Sequence, residues 1–303
     1  MRQPQLIFPL KPKRRLVGLA YGAIHSARRG TGSDVAGSRP YRRGDDVKAI
    51  DWPASAKLSR ARGLDEFVVR EHYADEAPRI VVHCDRRPSM SLYPSGWPWL
   101  EKPRAIDAIL RLIGASARAV QGYTGYLDHG SGEPLWQPPQ RRPALAELES
   151  DRPFRAPPDA LERGLEELIR HRRDVPPGTF VFVVSDFLDA LPRALWLRVL
   201  ARRWDVIPVV LQDPVWEQSF PDVGGIVVPF ADPMTGKTSH LELTRAETTE
   251  RRRLHEQRRA DLLHTFRGFD LEPVLVETSE ARTVFDAFLR WADRRRRGRS
   301  RSW

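Results

Sequence analysis

The chain has 303 residues, of which 41% are hydrophobic and 30% are charged, and its formal net charge is +10. This length and composition allow a sizeable buried core, which excludes a disordered or fibrous chain. No stretch approaches the roughly 18 consecutive apolar residues of a membrane span, so none is predicted. The single cysteine, Cys84, excludes an internal disulfide and favours the reducing cytoplasm as the location.

The first 78 residues contain few apolar runs and are expected to be loop-rich. Apolar and polar side chains alternate from Leu64 to Arg70, which predicts a half-exposed strand that adds to an edge of the main sheet. We therefore assign residues 1–78 to an N-terminal segment without a core of its own.

From residue 79 onward, strand and helix patterns alternate. Two short apolar runs, Ile80–Asp85 and Phe180–Asp186, are typical of buried strands in a parallel sheet. The remaining pattern predicts helices over 104–121, 159–172, 191–203, 244–266 and 282–294, strands over 123–127, 206–211 and 271–276, a proline-rich loop before residue 159, and a hairpin of 226–230 with 240–243 at the sheet edge. Residues 79–297 are therefore predicted to form an α/β domain with a doubly wound, mostly parallel sheet and helices on both faces.

Arginine supplies most of the positive charge: lysine occurs six times, so 44 of the 50 basic residues are arginine. The most concentrated run, Arg294–Arg297, lies near the carboxyl end and leads into a basic tail over residues 298–303. A solvated tail is the simplest interpretation of such a run. The alternative is a nucleic-acid-binding tail, because basic proteins gain affinity for phosphates by releasing counterions.

Two aspartates stand where the two strongest strands end. Asp85 closes the first strand and is followed by Ser89, and Asp186 closes the second. The carboxyl ends of parallel strands meet at one edge of a sheet, so these side chains are expected to share a site. Carboxylate and hydroxyl oxygens suit a hard divalent cation such as Mg²⁺, whereas an aspartate that only caps the following helix would have no such role.

An early motif comprises Gly30–Asp34, Arg39–Trp52 and Ser55–Lys57, in this order ahead of the Asp85 strand. It closely resembles the signature of the bacterial "domain of unknown function 58" family. Members of that family carry a domain similar to the von Willebrand factor A fold and are linked to MoxR-type AAA+ ATPases. The resemblance covers residue 30 to the end of the chain.

The resemblance implies a Rossmann-like domain with a metal-ion-dependent adhesion site at the top of its sheet. The family of folds places Asp-x-Ser-x-Ser after the first strand, a threonine in a second loop and an aspartate after a later strand. Asp85, Ser89 and Asp186 match three of these positions and would hold Mg²⁺ or Mn²⁺. Arg87 replaces the first serine, and the threonine has no counterpart, so the expected site is degenerate.

Arg87 leaves three arrangements open at this site. Its guanidinium would bind Asp85 and Asp186 in place of a metal, it would point to solvent beside an empty site, or the metal would remain. In each case Asp85, Arg87 and Asp186 are the expected partner-binding residues.

The early signature is interpreted as structural. Gly44, Asp45 and Asp46 are expected to form a turn, because glycine adopts a positive φ and aspartate bonds its own backbone. Asp51 is expected to pair with Arg42 or Arg60 while Trp52 is buried beside it. Tyr41 and Ser55 complete the signature, and a partner surface at Arg39, Tyr41, Arg42 and Arg43 is the alternative.

The sequence offers no arrangement of residues for nucleophilic catalysis, and its eight histidines form no ligand cluster. The leading hypothesis is therefore a non-catalytic adaptor that binds a MoxR-type ATPase and its client. One rival is a metal-dependent phosphodiesterase with Asp85, Asp186 and Asp189 as ligands. The other is the basic nucleic-acid binder.

Overall fold

The computed structural model describes residues 6–13, 20–64, 66–92, 100–130, 133–141, 145–150, 152–232, 235 and 237–299. The strands are β1 (Ala20–Pro40), β2 (Val68–Glu76), β3 (Arg79–Cys84), β4 (Tyr123–Asp128), β5 (Leu135–Gln140), β6 (Phe180–Ser185), β7 (Asp205–Leu211), β8 (Ile226–Ala231), β9 (Thr238–Leu243) and β10 (Val274–Val276). The helices are α1 (Trp52–Arg62), α2 (Lys102–Ala119), α3 (Leu145–Ser150), α4 (Ala160–Arg170), α5 (Arg193–Leu200), α6 (Arg245–Gly268) and α7 (Ala281–Arg299).

A central sheet of strand order β10-β7-β6-β3-β4-β5 organises the fold. Its strands are parallel except β5, which runs antiparallel to β4. The chain passes from β3 to β4 on one side and later returns to place β6 on the other side of β3. The carboxyl ends of β3 and β6 are therefore the switch point of the sheet, where α/β proteins form their ligand crevice.

Both faces of this sheet are covered by helices, which confirms the predicted α/β fold with a mostly parallel sheet. Alternate residues of β3 enter opposite cores, Ile80 and Val82 on one face and Val81 on the other. One core includes residues of α2 and α7, and the other includes residues of α4, α5 and the end of α6. The continuous apolar pattern of β3 and β6 follows from this burial on two sides.

Two apolar side chains near the start of the chain, Phe8 and Leu10, lie in the core that contains α2 and α7. The Phe8 ring lies 4.8 Å from Phe288 and 5.9 Å from Trp291, measured between ring centroids. Its backbone N–H donates to the Ser116 hydroxyl. Phe8 and Leu10 therefore pack against the same face of the sheet as α7.

Residues 135–140 form the antiparallel edge strand β5, which corrects the prediction of a loop there. The prolines at 138 and 139 suggested a loop because proline cannot donate to a strand ladder. An edge strand pairs on one side only, so it tolerates prolines that an inner strand would not.

Two further predictions about the sheet edges were wrong. The strand predicted from Leu64 begins at Val68 and pairs with β1 in a separate two-stranded ribbon. The hairpin of β8 and β9 is also a separate two-stranded sheet. The edges of the central sheet are instead formed by β10 and β5, so neither the ribbon nor the hairpin pairs with it.

The long charged helix α6 begins with a capping box between Thr244 and Glu247, each bonding the other's backbone N–H. This arrangement satisfies donors that have no partner within the helix. The helix docks near its end, where Phe266 is fully buried against Phe187 and Trp196. No helix within the described ranges is long and apolar enough to cross a membrane.

Candidate functional site

The candidate site is a charged cleft at the carboxyl ends of β3 and β6. The parallel pairing of the two strands continues one residue further, where the Asp85 N–H donates to the Val184 carbonyl over 2.9 Å. The Ser185 hydroxyl donates to Asp85 Oδ2 over 2.7 Å. Asp85, Ser185 and Asp186 are all fully buried, so their orientation is fixed by the strands that precede them.

Arg87 fills the space between the two aspartates. Its Nη2 donates to Asp85 Oδ2 over 2.8 Å and to Asp186 Oδ1 over 3.1 Å, while Nε bonds Asp85 as well. Its Nη1 lies 2.5 Å from Asp189 Oδ2. The Arg87 side chain is 5% exposed and the Asp189 side chain 83% exposed, so Asp189 is the outer partner of a buried cation.

A second cation, Lys102, enters the cleft from the start of α2. Its Nζ lies 3.2 Å from Asp186 Oδ2 and 2.5 Å from Glu217 Oε1, and it donates to the Ser89 carbonyl over 3.1 Å. The Lys102 side chain is fully buried. Asp186 is therefore held between two cations, one on each carboxylate oxygen.

Residues after β7 complete the cleft. Gln212 donates to the Asp186 carbonyl over 2.6 Å. Asp213 accepts the Leu100 N–H and, with its other oxygen, the N–H groups of Val215 and Trp216. These bonds fix the turn that carries Glu217 and the chain that leads into α2.

The pKa of Asp186 is set by opposing effects. Burial alone would raise it, but the charges of Lys102 and Arg87 and a hydrogen bond from Ser89 outweigh burial and lower it. Burial also disfavours the charged form of Arg87 and would lower its pKa. The charge and the hydrogen bonds of Asp85 outweigh burial, so the pKa of Arg87 is raised. Both groups are therefore held in their charged forms.

Glu217 shifts in the opposite direction. Burial raises its pKa, and the negative charge of Asp186 adds to this effect, while Lys102 opposes it. The cleft thus contains one carboxyl group that takes up a proton more readily than an exposed glutamate does.

The arrangement does not fit the metal centre that the family resemblance implies. Arg87 donates to both Asp85 and Asp186 from the position that a shared cation would need, and Lys102 lies on the remaining oxygen of Asp186. Within the described ranges, no group of three or more His, Cys, Asp or Glu side chains is placed to hold a metal. The ligand oxygens are instead directed at the protein's own cations.

A second buried network lies beside the cleft at the end of β4. Arg86 donates to the Tyr126 hydroxyl over 2.9 Å and lies 3.5 Å from Asp128. Arg152 also binds Asp128, at 2.6 Å. Burial would raise the pKa of Asp128, but the hydrogen bond from Arg152 and other bonds outweigh it and lower the pKa. Arg86 therefore binds residues at the end of β4, and the adjacent Arg87 binds Asp186 at the end of β6.

Sequence reasoning brought together Asp85, Arg87, Ser89 and Asp186, and the structure places all four in one cleft. It missed Lys102 and Glu217, which lie in other parts of the chain and carry no motif. A lysine at the start of a helix is unfavourable beside the positive end of the helix dipole, and this placement was a signal that Lys102 has an acidic partner.

The signature residues 44–46 form the predicted turn. Gly44 has a φ of 103°, a value that favours glycine. Asp45 accepts the Arg42 N–H over 2.7 Å and both Arg39 Nη groups. These bonds lower the pKa of Asp45 to about 2, with the Arg39 hydrogen bond as the largest cause. Asp46 bonds the Lys48 N–H at the start of a short 3-10 helix.

The prediction for Asp51 and Trp52 needs correction. Asp51 binds Arg70 at 2.7 Å rather than Arg42 or Arg60, and it caps α1 through the Ala54 N–H. The Trp52 side chain is exposed, because α1 buries only Ser55 and offers no apolar pocket for an indole.

The Phe67 ring contacts two other aromatic rings of this region edge to face. Phe67 lies 5.9 Å from Trp52 and 6.5 Å from Tyr41, measured between ring centroids. Ser55 accepts the Val68 N–H over 2.9 Å and so ties α1 to the ribbon. The signature residues are therefore held in place by these contacts, while Trp52 and Phe67 remain exposed to solvent.

Residues 37–262 match the family model described as "Protein of unknown function DUF58". The match includes the charged cleft and the Arg39–Trp52 and Ser55–Lys57 parts of the early signature, while Gly30–Asp34 lies ahead of it. The chain belongs to this family of α/β proteins.

Similar proteins include the uncharacterized proteins Rv1480 and MT1527 of Mycobacterium tuberculosis and Mb1516 of Mycobacterium bovis. Each is 25% identical over 296 residues, which cover 95% of this chain and 88% of the relative. Among solved structures, an aerotolerance-related membrane protein of Bacteroides fragilis, carrying multiple mutations to serines, aligns with a TM-score of 0.38 and 13% identity, over 72% of this chain and 99% of that one.

Proposed function

We propose that this chain is a non-catalytic adaptor with a von Willebrand factor A-like domain, which binds a MoxR-type AAA+ ATPase and helps it engage a client protein. The observation that carries the proposal is the occupation of the switch-point cleft by Arg87 and Lys102. This crevice normally holds a ligand, and here the protein's own cations supply the charge that a bound metal ion would bring.

The mode of recognition follows from the exposure of Asp189. The Asp189 side chain is 83% exposed, so a carboxylate of a partner can take its place and keep Arg87 paired. The outer N–H groups of Arg87 would then bind a carboxylate of the partner, as an arginine fork does. The inner bonds to Asp85 and Asp186 would stay in place and hold the guanidinium in position.

The phosphodiesterase alternative loses support from the same contacts. Asp189 was its candidate third ligand, and its carboxylate binds Arg87. The nucleic-acid alternative is weakened in a similar way, because Arg295 of the basic run is buried and pairs with Asp205 and Glu272. That arginine holds the last helix in place.

The test is a binding measurement of the full-length protein against the MoxR-type ATPase of its own organism, with Mg²⁺·ATP. We expect Asp189→Ala to bind more tightly than the wild type, because the competing carboxylate is gone. Asp189→Lys should bind more weakly, because it places a cation at the position of the partner carboxylate.

Asp107→Ala is the matched control, since Asp107 also forms an exposed pair, with Arg111 on α2. It should bind like the wild type. Equal affinity of the wild type, Asp189→Ala and Asp189→Lys would show that the cleft is not the binding site. No binding by any of them would overturn the ATPase assignment itself.

A further inference from the structure

A second surface lies in the early signature, away from the cleft. Four of the ten large apolar side chains that remain exposed in the described part of the chain fall within residues 47–67. They are Val47, Trp52, Leu64 and Phe67, with exposed fractions between 43% and 67%. Solvent-exposed apolar side chains gathered in this way mark interaction sites.

Apart from the edge-to-face contact of Trp52 with Phe67, the described contacts that hold the helix in this region are polar. Ser55 bonds the Val68 N–H, and Ser59 accepts the Glu66 N–H and donates to the Glu66 carbonyl. A helix of 11 residues is only marginally stable without an apolar face packed against other elements. The exposed Trp52 and Phe67 rings are therefore free to pack against another molecule.

The charges of the same region are unbalanced. Three of its described carboxylates are paired internally, since Asp45 binds Arg39, Asp51 binds Arg70 and Glu66 binds Arg62, and only the exposed Asp46 has no ion pair among the described residues. Four exposed cations lie close in sequence to the apolar side chains and, like the exposed Arg42, none lies within ion-pair distance of a described carboxylate; they are Arg43, Lys48, Lys57 and Arg60. The surface thus combines apolar anchors with unbalanced positive charge.

We propose that these residues, called here the signature surface, dock an acidic protein partner that presents apolar side chains to Trp52 and Phe67. Charge complementarity with the four cations selects the partner. A second copy of this chain would bring like charges together and does not fit.

Two other polyanionic partners fit the surface less well. Nucleic acid would use the cations and stack on the aromatic rings, but it would leave the aliphatic Val47 and Leu64 without apolar contacts. A helix that inserts into an anionic membrane surface presents a continuous apolar face. The side of α1 that faces the ribbon carries Ser55 and Ser59, and Lys57 and Arg60 interrupt the exposed side.

The signature surface and the cleft are built from different elements. β2 runs from Val68 to Glu76 and leads into β3 at Arg79. The ribbon therefore joins the amino end of β3, whereas the cleft lies at its carboxyl end. Among the described residues, the hydrogen bonds and ion pairs of residues 47–67 do not reach the cleft, so this inference stands whether or not the cleft binds an ATPase.

The first experiment is site-specific photo-crosslinking of the full-length protein in a lysate of its own organism. A benzophenone amino acid replaces Leu64 in one variant and Leu197, an exposed residue of α5, in the control. We expect a protein crosslinked at 64 and absent at 197, with mass spectrometry mapping the crosslink to a segment richer in Asp and Glu than in Lys and Arg. No crosslink specific to position 64, or a basic segment, would overturn the proposal.

The second experiment measures the affinity of that purified partner for charge and ring variants. Trp52→Ala and the double variant Lys57→Glu/Arg60→Glu should each weaken binding at least about tenfold. The matched control is Arg172→Glu/Arg173→Glu, at exposed positions after α4, which should bind like the wild type. Equal weakening by both double variants would overturn the proposal.

Binding to a 30-base-pair duplex or to phosphatidylglycerol vesicles is measured in parallel. If either binds the wild type and fails to bind the Trp52→Ala and Lys57→Glu/Arg60→Glu variants, the surface recognises that polyanion and the protein-partner proposal is wrong. Unchanged circular dichroism and thermal midpoints of the variants confirm that they fold.

Discussion

Arg87 Nη2 donates to Asp186 Oδ1 over 3.1 Å and so joins the ends of β3 and β6 across the cleft. The same nitrogen lies 2.8 Å from Asp85 Oδ2. One guanidinium thus compensates two fully buried carboxylates that would otherwise repel each other. Arg87 is therefore a structural centre of the fold as well as the proposed contact for a partner.

Arg87→Ala is expected to lower the free energy of unfolding by about 3–5 kcal/mol, because it leaves buried carboxylates without their cation. Arg87→Lys should lower it by less, since it keeps the charge and loses the forked geometry. Urea denaturation followed by circular dichroism measures both.

The control for this series is Arg170→Ala, which removes an exposed ion pair with Glu167 on α4. Such a pair contributes about 0–1 kcal/mol. A loss in Arg87→Ala no larger than in Arg170→Ala would contradict the central role of Arg87.

Metal ions are expected to leave the wild-type protein unchanged. A cation that binds only the folded state raises its thermal midpoint, and in this cleft the ligand oxygens already bind Arg87 and Lys102. Millimolar Mg²⁺ or Mn²⁺, and separately a chelator, should therefore not shift the wild-type midpoint. Arg87→Ser removes one internal cation and supplies a hydroxyl, so Mn²⁺ should raise the midpoint of this variant. A rise in the wild type would show that a metal competes successfully with Arg87.

Part of this site was predictable because strand ends are local features of a sequence. Asp85 and Asp186 follow apolar runs that are typical of buried strands, and parallel strands bring their carboxyl ends together. Whether Arg87 would point into the cleft depended on the loop conformation, which the sequence left open. The position of Glu217 was not predictable, since it depends on a turn fixed by bonds between Asp213 and residues 100, 215 and 216.

The fold shows the same division between local patterns and tertiary context. The strands β3 and β6 and the helices that cover them were predicted from periodicity. The packing of Phe8 against Phe288 was not, because it joins residues 280 positions apart in the chain. Trp52 was expected to be buried because indoles usually are, yet α1 packs against the ribbon through serines.

Glu217 should make stability fall as the pH rises, whereas burial lowers the pKa values of His83, His129 and His255, so their contribution to stability rises with pH. The pKa of Glu217 is raised in the folded state, so the folded protein binds a proton there more tightly than the unfolded chain does. Stability contributed in this way is present at low pH and is lost as the pH rises from the ordinary glutamate value of 4.5 through the raised pKa.

At acidic pH, stability should fall because of Asp186 and Asp128, whose pKa values are lowered. Their contribution is present above the ordinary aspartate value of 3.8 and is lost as the pH falls below it. Free energies of unfolding measured by urea titration from pH 3 to 8 test both effects. Glu217→Gln should lose less stability than the wild type as the pH rises, and an unchanged dependence on pH in this variant would assign the effect to another group.

Gly164 of α4 is expected to be irreplaceable because of its contact with His83. A Cβ at this position would overlap the His83 ring, which is held in place by the carbonyls of Leu127 and Leu161. Overpacking of this kind costs about 1–3 kcal/mol. Gly164→Ala should therefore destabilise the protein, even though alanine is favoured over glycine in a helix by about 0.5–1 kcal/mol.

Gly268, the last residue of α6, is the matched control. A Cβ there would meet no atom within 4 Å, so Gly268→Ala should leave the free energy of unfolding unchanged or raise it slightly. Urea denaturation of the two variants separates helix propensity from packing. If Gly164→Ala were as stable as Gly268→Ala, the prediction would be wrong. α4 would then have room to move away from β3, and the contact between Gly164 and His83 would not fix the position of α4 above the sheet.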